Sequence, residues 1–200
     1  MFEVRLAAIV VALVSTGLTA GVFYAYAISV MPALARTGDR TLIDVMQKIN
    51  TVIINPWFMI GFLGTVGFTA LAAVLHLGSG HRSTLIWLGI ALALNVVAFG
   101  VTIALNVPLN EALDAAGDPA AIADTAAVRA EYEADWVRWN VLRAVLHTAA
   151  FLVLCGAVFV AGVQQGKSSS EAAGVVAGQP VSQVSAASVV GGQVQAPYRH

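Results

Sequence analysis

Cysteine is almost missing from this sequence, with only Cys155 among 200 residues. A single thiol inside an apolar run excludes a disulfide framework and a cysteine-based zinc site. Charge is scarce as well. An average soluble domain carries roughly a quarter charged residues, whereas here they make up 10% and hydrophobic residues 58%. That balance does not fit a soluble globular domain. Nor is there a basic surplus: the formal net charge is -1. Without one, phosphates cannot be neutralised, and nucleic acid is excluded as a partner. No run alternates apolar and polar residues as strands do, which argues against a lipid-embedded barrel.

The sequence does have long apolar runs, and the mean hydropathy is +0.81. A membrane-crossing helix needs about 20 mostly apolar residues. Four stretches reach that length: about Leu6–Val30, Trp57–Leu77, Thr84–Leu105 and Trp139–Val163. They predict an all-α, integral membrane four-helix bundle with the lipid bilayer as its surroundings, placed as a multi-pass protein of the cell membrane. The first run is as long as a full span and carries Ser15, Thr16, Thr19, Tyr24 and Tyr26. It is therefore read as a retained helix rather than a cleaved signal peptide. Gly17 and Gly21 form a GxxxG pattern, the usual mark of close helix packing.

The connections are unequal. Polar residues Asp44, Gln47, Lys48, Thr51 and Asn55 follow helical spacing between apolar positions. This amphipathic stretch is expected to lie in the interface or to extend the second span. His81 and Arg82, in the short link before the third span, look like ordinary loop residues. The link from Asn110 to Asp135 is long and acidic, and Asp118-Pro119 has the form of a cap followed by a first-turn proline. From Gln165 to His200 the chain is Ser, Gly, Ala, Val and Gln with almost no aromatics. It reads as a disordered tail following a membrane domain of residues 1–164. Basic residues slightly favour the side holding Arg36, Arg40, Lys48, Arg129 and Arg138, which leans towards both termini lying outside.

Polar residues inside a membrane usually face a bundle interior or a cavity. Asn95, Phe99, Thr102 and Asn106 fall on one helix face, as do Trp136, Asn140, Arg143 and His147, with Trp139 beside them. Thr65, Thr69 and His76 share a stripe, and so do Ser15, Thr19 and Tyr26. Helices alternate in direction, so one end of the bundle gathers Tyr26, Asn50, Asn55-Pro56-Trp57, Asn106, Asn110, Trp136, Trp139, Asn140 and Arg143. At 1.5 Å per residue, Arg143 lies about 6 Å and His147 about 12 Å deeper than the tryptophans. Each residue also has a plainer role open to it. The tryptophans can be belt anchors. Asn55 can cap a helix, Asn106 can satisfy backbone freed by Pro108, and Arg143 can pair with Glu133 or Asp135. Tyr24 and Tyr26 face different sides, so they are not expected to line one cavity together.

Four segments carry a resemblance: GVFYAYAISVMPAL from Gly21, MQKINTVIINPWF from Met46, Asn106-Val-Pro-Leu-Asn110 and Trp136-Val-Arg-Trp-Asn-Val-Leu-Arg143. Together, over about Leu6 to Val163, the chain resembles the anthrone oxygenase family of small four-span membrane proteins. The resemblance implies oxidation of a hydrophobic polycyclic aromatic by O2 with no metal, flavin or other cofactor. Such chemistry asks for a base, an oxyanion holder and exclusion of water. By residue type, Arg143 and Asn140 suit the oxyanion and His147 the base. Trp139, Trp57 and Phe99 suit stacking on a flat ring system. Trp136, Asn106, Asn110, Asn55 and Tyr26 complete the candidate substrate site. A quinone-, lipid- or partner-binding protein without turnover is the alternative. A channel is disfavoured because the spans lack a repeated charged lining. Haem is disfavoured because His76 and His147 fall in opposite membrane halves.

Overall fold

The computed structural model describes residues 2–78 and 80–177. Among them there is no strand. Four helices are long and apolar enough to cross a membrane, and the chain is a membrane protein. Helix α1 runs over Phe2–Leu34, α3 over Pro56–Leu75, α4 over Arg82–Ala115 and α5 over Thr125–Ala177. Between the first two, the amphipathic stretch forms a separate helix, α2, over Asp39–Val52. It does not extend the second span. Asn55 ends that possibility: its side chain accepts from Phe58 N at 3.1 Å while Pro56 opens α3.

The compact body is Met1–Ala161. Its outer surface is apolar, with Leu18, Ile60, Val74, Val97 and Val145 all exposed. A bilayer, unlike water, makes such a surface favourable. Inside, small and branched residues close the bundle at the His76 end: Ile9, Ala12, Ala72, Leu88, Leu154 and Ala157. At the opposite end, α2 lays Leu42, Ile43 and Met46 against Met31, Leu34, Leu113, Tyr132 and Trp136. Polar contacts hold α2 there. Gln47 donates to the carbonyls of Leu113 at 2.9 Å and Gly117 at 3.0 Å, near the α4 terminus. Arg129 of α5 clamps the α1–α2 turn, donating to Thr37 O at 3.0 Å, Ala35 O at 3.1 Å and Asp39 at 2.9 Å.

Two helices carry a wide turn that the hydropathy pattern does not foretell. Residues Tyr26–Val30 of α1 and Thr102–Asn106 of α4 are π-helical. Met31 N bonds back to Tyr26 O, and Val107 N bonds back to Thr102 O. A proline stands just beyond each, Pro32 and Pro108. A proline ring collides with the carbonyl four residues back in a regular helix. Those carbonyls belong to Ile28 and Ala104, inside the two wide turns, and the extra width relieves the collision.

Other expectations change in detail. Asp118-Pro119 does not start a helix: Asp118 accepts from Ala120 N at 2.8 Å in a local turn. The helix begins at Thr125, where Asp124 accepts from Ala127 N at 2.9 Å. The compositional change at Gln165 falls within α5, since residues 162–177 are helical. The rest of the expected tail lies outside the described residues. Gly17 approaches the Phe151 ring, but Gly21 faces open space, so only half of the GxxxG pattern is a packing site. His81 is more than loop: its ring meets the Arg5 guanidinium, whose Nε donates to Leu75 O at 2.8 Å.

Candidate functional site

At the α2 end of the body lies a cavity of about 240 Å³. Its walls come from every helix. Helix α1 gives Val22, Phe23 and Tyr26, and α2 with the turn after it gives Ile49, Asn50, Ile53 and Ile54. Helix α3 gives Phe58, Met59 and Phe62. Helix α4 gives Thr102, Ile103, Val107 and Asn110, and α5 gives Trp136, Asn140 and Arg143. Both wide turns open onto it, through Tyr26 on one side and Thr102 and Ile103 on the other. Drug-sized ligand pockets span roughly 300–1,000 Å³, apolar with a few polar groups. This one is slightly smaller and suits a compact molecule.

Around Arg143 the polar groups of the wall form a connected chain. Arg143 donates through one terminal nitrogen to Asn140 Oδ1 at 3.1 Å and through the other to Thr102 Oγ1 at 3.4 Å. Asn140 Nδ2 donates to Phe23 O at 3.0 Å. The guanidinium lies over the Phe23 ring at 4.2 Å and near the Trp136 ring at 5.6 Å. Arg143 is 5% exposed. Among the described residues it forms no ion pair; Glu133, one of its expected partners, bonds Arg129 at 2.6 Å. Asn110 Oδ1 accepts from Trp136 Nε1 at 2.8 Å and Tyr132 Oη at 3.3 Å, which orients the indole.

His147 lies outside the cavity wall. Its ring stacks on Phe23 with centroids 5.5 Å apart, and Phe23 is in the wall. Its Nδ1 is 3.0 Å from Asn95 Oδ1. The tautomer is set by the surroundings of Asn95. The amide nitrogen of Asn95 faces the Thr65 carbonyl at 3.0 Å, which can only accept. It also reaches the hydroxyls of Thr16 and Thr69, each at 3.3 Å. The amide oxygen must therefore face His147, which donates from Nδ1. In the neutral imidazole the lone pair is then on Nε2, and Nε2 has no partner.

Unpartnered polar atoms concentrate here. Among the described residues, the buried side-chain atoms without a hydrogen-bond partner are Asn50 Nδ2, Asn106 Oδ1, Arg143 Nε and His147 Nε2. Two of these side chains, Asn50 and Arg143, line the cavity. His147 stacks on its wall, and Asn106 donates to Trp136 O at 3.3 Å. Native interiors leave few such atoms, and those left over call for an explanation such as a ligand or a catalytic role.

Of the candidates read from sequence, Tyr26, Asn110, Trp136, Asn140 and Arg143 lie together in the wall. Asn106 and His147 stand just behind it. So does Phe99, stacked on Phe62 at 5.1 Å. Three lie elsewhere. Trp57 is 86% exposed. Trp139 packs under Arg138 at 4.8 Å. Asn55 is committed to its cap. Phe23 and Thr102 join the wall although sequence does not single them out as site residues, and Asn50 is placed at this end by topology alone. Among the described residues no three His, Cys, Asp or Glu side chains converge as a metal site.

The anthrone oxygenase family model matches residues 56–153. The match contains Asn106-Val-Pro-Leu-Asn110 and Trp136 through Arg143, and it excludes α1, α2 and their share of the cavity wall. No curated protein and no solved structure matches the chain.

Proposed function

We propose that this chain is an oxygenase of the cell membrane that converts an anthrone-like polycyclic aromatic to the quinone with O2. The observation that carries this reading is the Arg143 guanidinium, buried in the wall of an apolar cavity with no carboxylate beside it. An unpaired buried cation is costly. An occupant bearing an oxyanion relieves that cost, and an anthrone becomes such an oxyanion when its CH₂ is deprotonated. The match to the anthrone oxygenase model supports the same substrate class.

The reaction balances with O2 as sole oxidant. A base takes one proton from the CH₂ opposite the carbonyl, and the negative charge moves to the carbonyl oxygen. The carbon gives its electrons to O2 and a C–O bond forms; the peroxide takes back the proton held by the base, leaving a hydroperoxide. Loss of the second C–H proton and cleavage of the O–O bond release water and leave a carbonyl. In sum, CH₂ and O2 become C=O and H₂O. Arg143, oriented by Asn140 and Thr102, holds the oxyanion. His147 Nε2 is the proton acceptor by type and tautomer. Phe23, Phe62 and Trp136 provide aromatic faces for the ring system. O2 is more soluble in lipid than in water, which favours a site at this depth.

The test is O2 uptake by the purified protein in lipid nanodiscs with anthrone, with ¹⁸O₂ label traced into the new carbonyl. Arg143→Ala is expected to lower the rate by about 100-fold or more while the protein keeps a cooperative melt. Equal rates in the two proteins overturn the assignment.

One observation favours a second reading, a non-catalytic protein that binds a quinone or lipid: His147 is not itself in the cavity wall. Ligand retention without O2 uptake is the outcome that selects it.

A further inference from the structure

Asn50 presents an anomaly that catalysis by Arg143 does not explain. It is 8% exposed, sits on the inward face of α2 and lines the cavity, yet its Nδ2 has no hydrogen-bond partner. The neighbouring positions on that face, Met46, Ile49 and Ile53, are apolar. Packing alone would be served better by leucine at this position, because a buried amide without a partner carries its full desolvation cost. Nor does its Nδ2 hold α2 in place. That is done by Gln47, through Leu113 O and Gly117 O, and by the apolar face.

We propose that Asn50 is a specificity-determining residue, donating a hydrogen bond to an oxygen of the molecule that occupies the cavity. This deepens the oxygenase reading and rests on the same cavity, but it concerns recognition rather than turnover. The consequence is a division of labour. The part of the chain matching the family model supplies Arg143, Asn140 and Trp136. Helix α2, outside that match, supplies the donor that separates an oxygenated ring system from a bare hydrocarbon. Sites with unfilled polar groups reject ligands that lack the complementary atom, because the group is then left stranded in the complex.

The test compares 9,10-anthraquinone with anthracene, which has the same fused-ring skeleton and no oxygen. Binding to the full chain in nanodiscs is read by tryptophan quenching, corrected with protein-free discs. The wild type is expected to prefer anthraquinone. Asn50→Leu should lose about tenfold or more of that preference, with anthracene binding held or improved. Asn50→Ala, which adds no bulk, should behave the same way. Ligand-free melting gives an independent reading: Asn50→Leu should melt at or above the wild-type temperature, because the stranded amide is gone. An undiminished preference in both variants overturns the proposal, as does a wild type with no preference or a clear fall in the ligand-free melt. Failure of the oxygenase reading looks different: Asn50-dependent preference persists, but no O2 is consumed with anthrone.

Discussion

Asn95 Oδ1 and His147 Nδ1 meet at 3.0 Å in the middle of the bundle, and the same amide joins three helices to α4. Its nitrogen reaches Thr16 of α1 and Thr65 and Thr69 of α3, while its oxygen reaches α5. Thr16, Thr65, Thr69, Asn95 and His147 are all fully buried. The knot therefore fixes both the helix arrangement and the free nitrogen of His147.

Asn95→Leu removes every one of these bonds and leaves His147 Nδ1 without an acceptor. Hydrogen bonds between membrane helices average only about 0.6 kcal/mol, because the unfolded chain in lipid also finds partners. A stranded buried group adds about 1–3 kcal/mol. The expected loss is about 2 kcal/mol, read as a lower midpoint in detergent unfolding. Anthrone-dependent O2 uptake should fall as well, since nothing then fixes the His147 tautomer. A variant with wild-type stability and rate would mean that the knot holds neither the fold nor the imidazole.

The other end of the bundle gives a pH prediction. His81 lies in the link between spans, and its proton affinity is lowered below the usual histidine range, by desolvation first, then by Arg5 and His76. The geometry agrees: the Arg5 guanidinium donates to His81 Nε2, which must be unprotonated to accept. A histidine with a depressed folded pKa adds stability above its unfolded pKa and loses it as pH falls through the folded value. Measured by NMR with labelled histidine, His81 should reach half-protonation below about pH 6.5. Arg5→Gln should raise that midpoint. A midpoint at or above the ordinary value in the wild type would contradict the contact.

Glycines with different neighbours should respond differently to a methyl group. A Cβ on Gly156 would come within 2.6 Å of the Trp87 ring, and one on Gly17 within 2.9 Å of Phe151. Gly21 has nothing within 4 Å. Gly156→Ala therefore forces an indole aside, at about 1–3 kcal/mol, partly offset by the roughly 1 kcal/mol helix preference of alanine over glycine. Gly21→Ala keeps only the favourable part. The melting temperature should fall in Gly156→Ala and hold or rise in Gly21→Ala. The reverse order would show that Trp87 yields freely.

Much of the fold is legible in the sequence because a bilayer imposes a simple rule: apolar runs of sufficient length become helices. The convergence of Arg143, Asn140, Asn110, Trp136 and Tyr26 is legible for a related reason, since polar residues in such runs must face inward. Two kinds of feature are hidden. Phe23 and Phe62 line the cavity while Trp57 and Phe159 face outward, and hydrophobicity alone gives lipid and cavity the same residues. The wide turns are hidden because Pro32 and Pro108 signal a break in hydrogen bonding but not its form. Trp57 and Asn55 stand close to the site in sequence, yet the start of α3 turns one outward and occupies the other as a cap.

Pro108 tests whether the wide turn in α4 is imposed locally or held by its neighbours. Pro108→Ala restores a backbone N–H and lifts the bar that proline sets against a regular helix at this position, a preference of about 3 kcal/mol. Opposing it are the contacts that depend on the present register: Trp136 Nε1 to Asn110 at 2.8 Å, Tyr132 to Asn110 at 3.3 Å and Asn106 to Trp136 O at 3.3 Å. At about 0.6 kcal/mol each, these sum to less than that preference, so the turn is expected to tighten. Removing one residue from a turn rotates the remainder of the helix by about 100°, carrying Asn110 away from Trp136. The variant should thus melt no lower than the wild type, yet bind anthraquinone more weakly. With Trp57, Trp87 and Trp139 changed to Phe in both backgrounds, the emission of Trp136 should shift. Unchanged emission and unchanged binding would instead mean that Asn110 and its partners hold the wide turn without the proline.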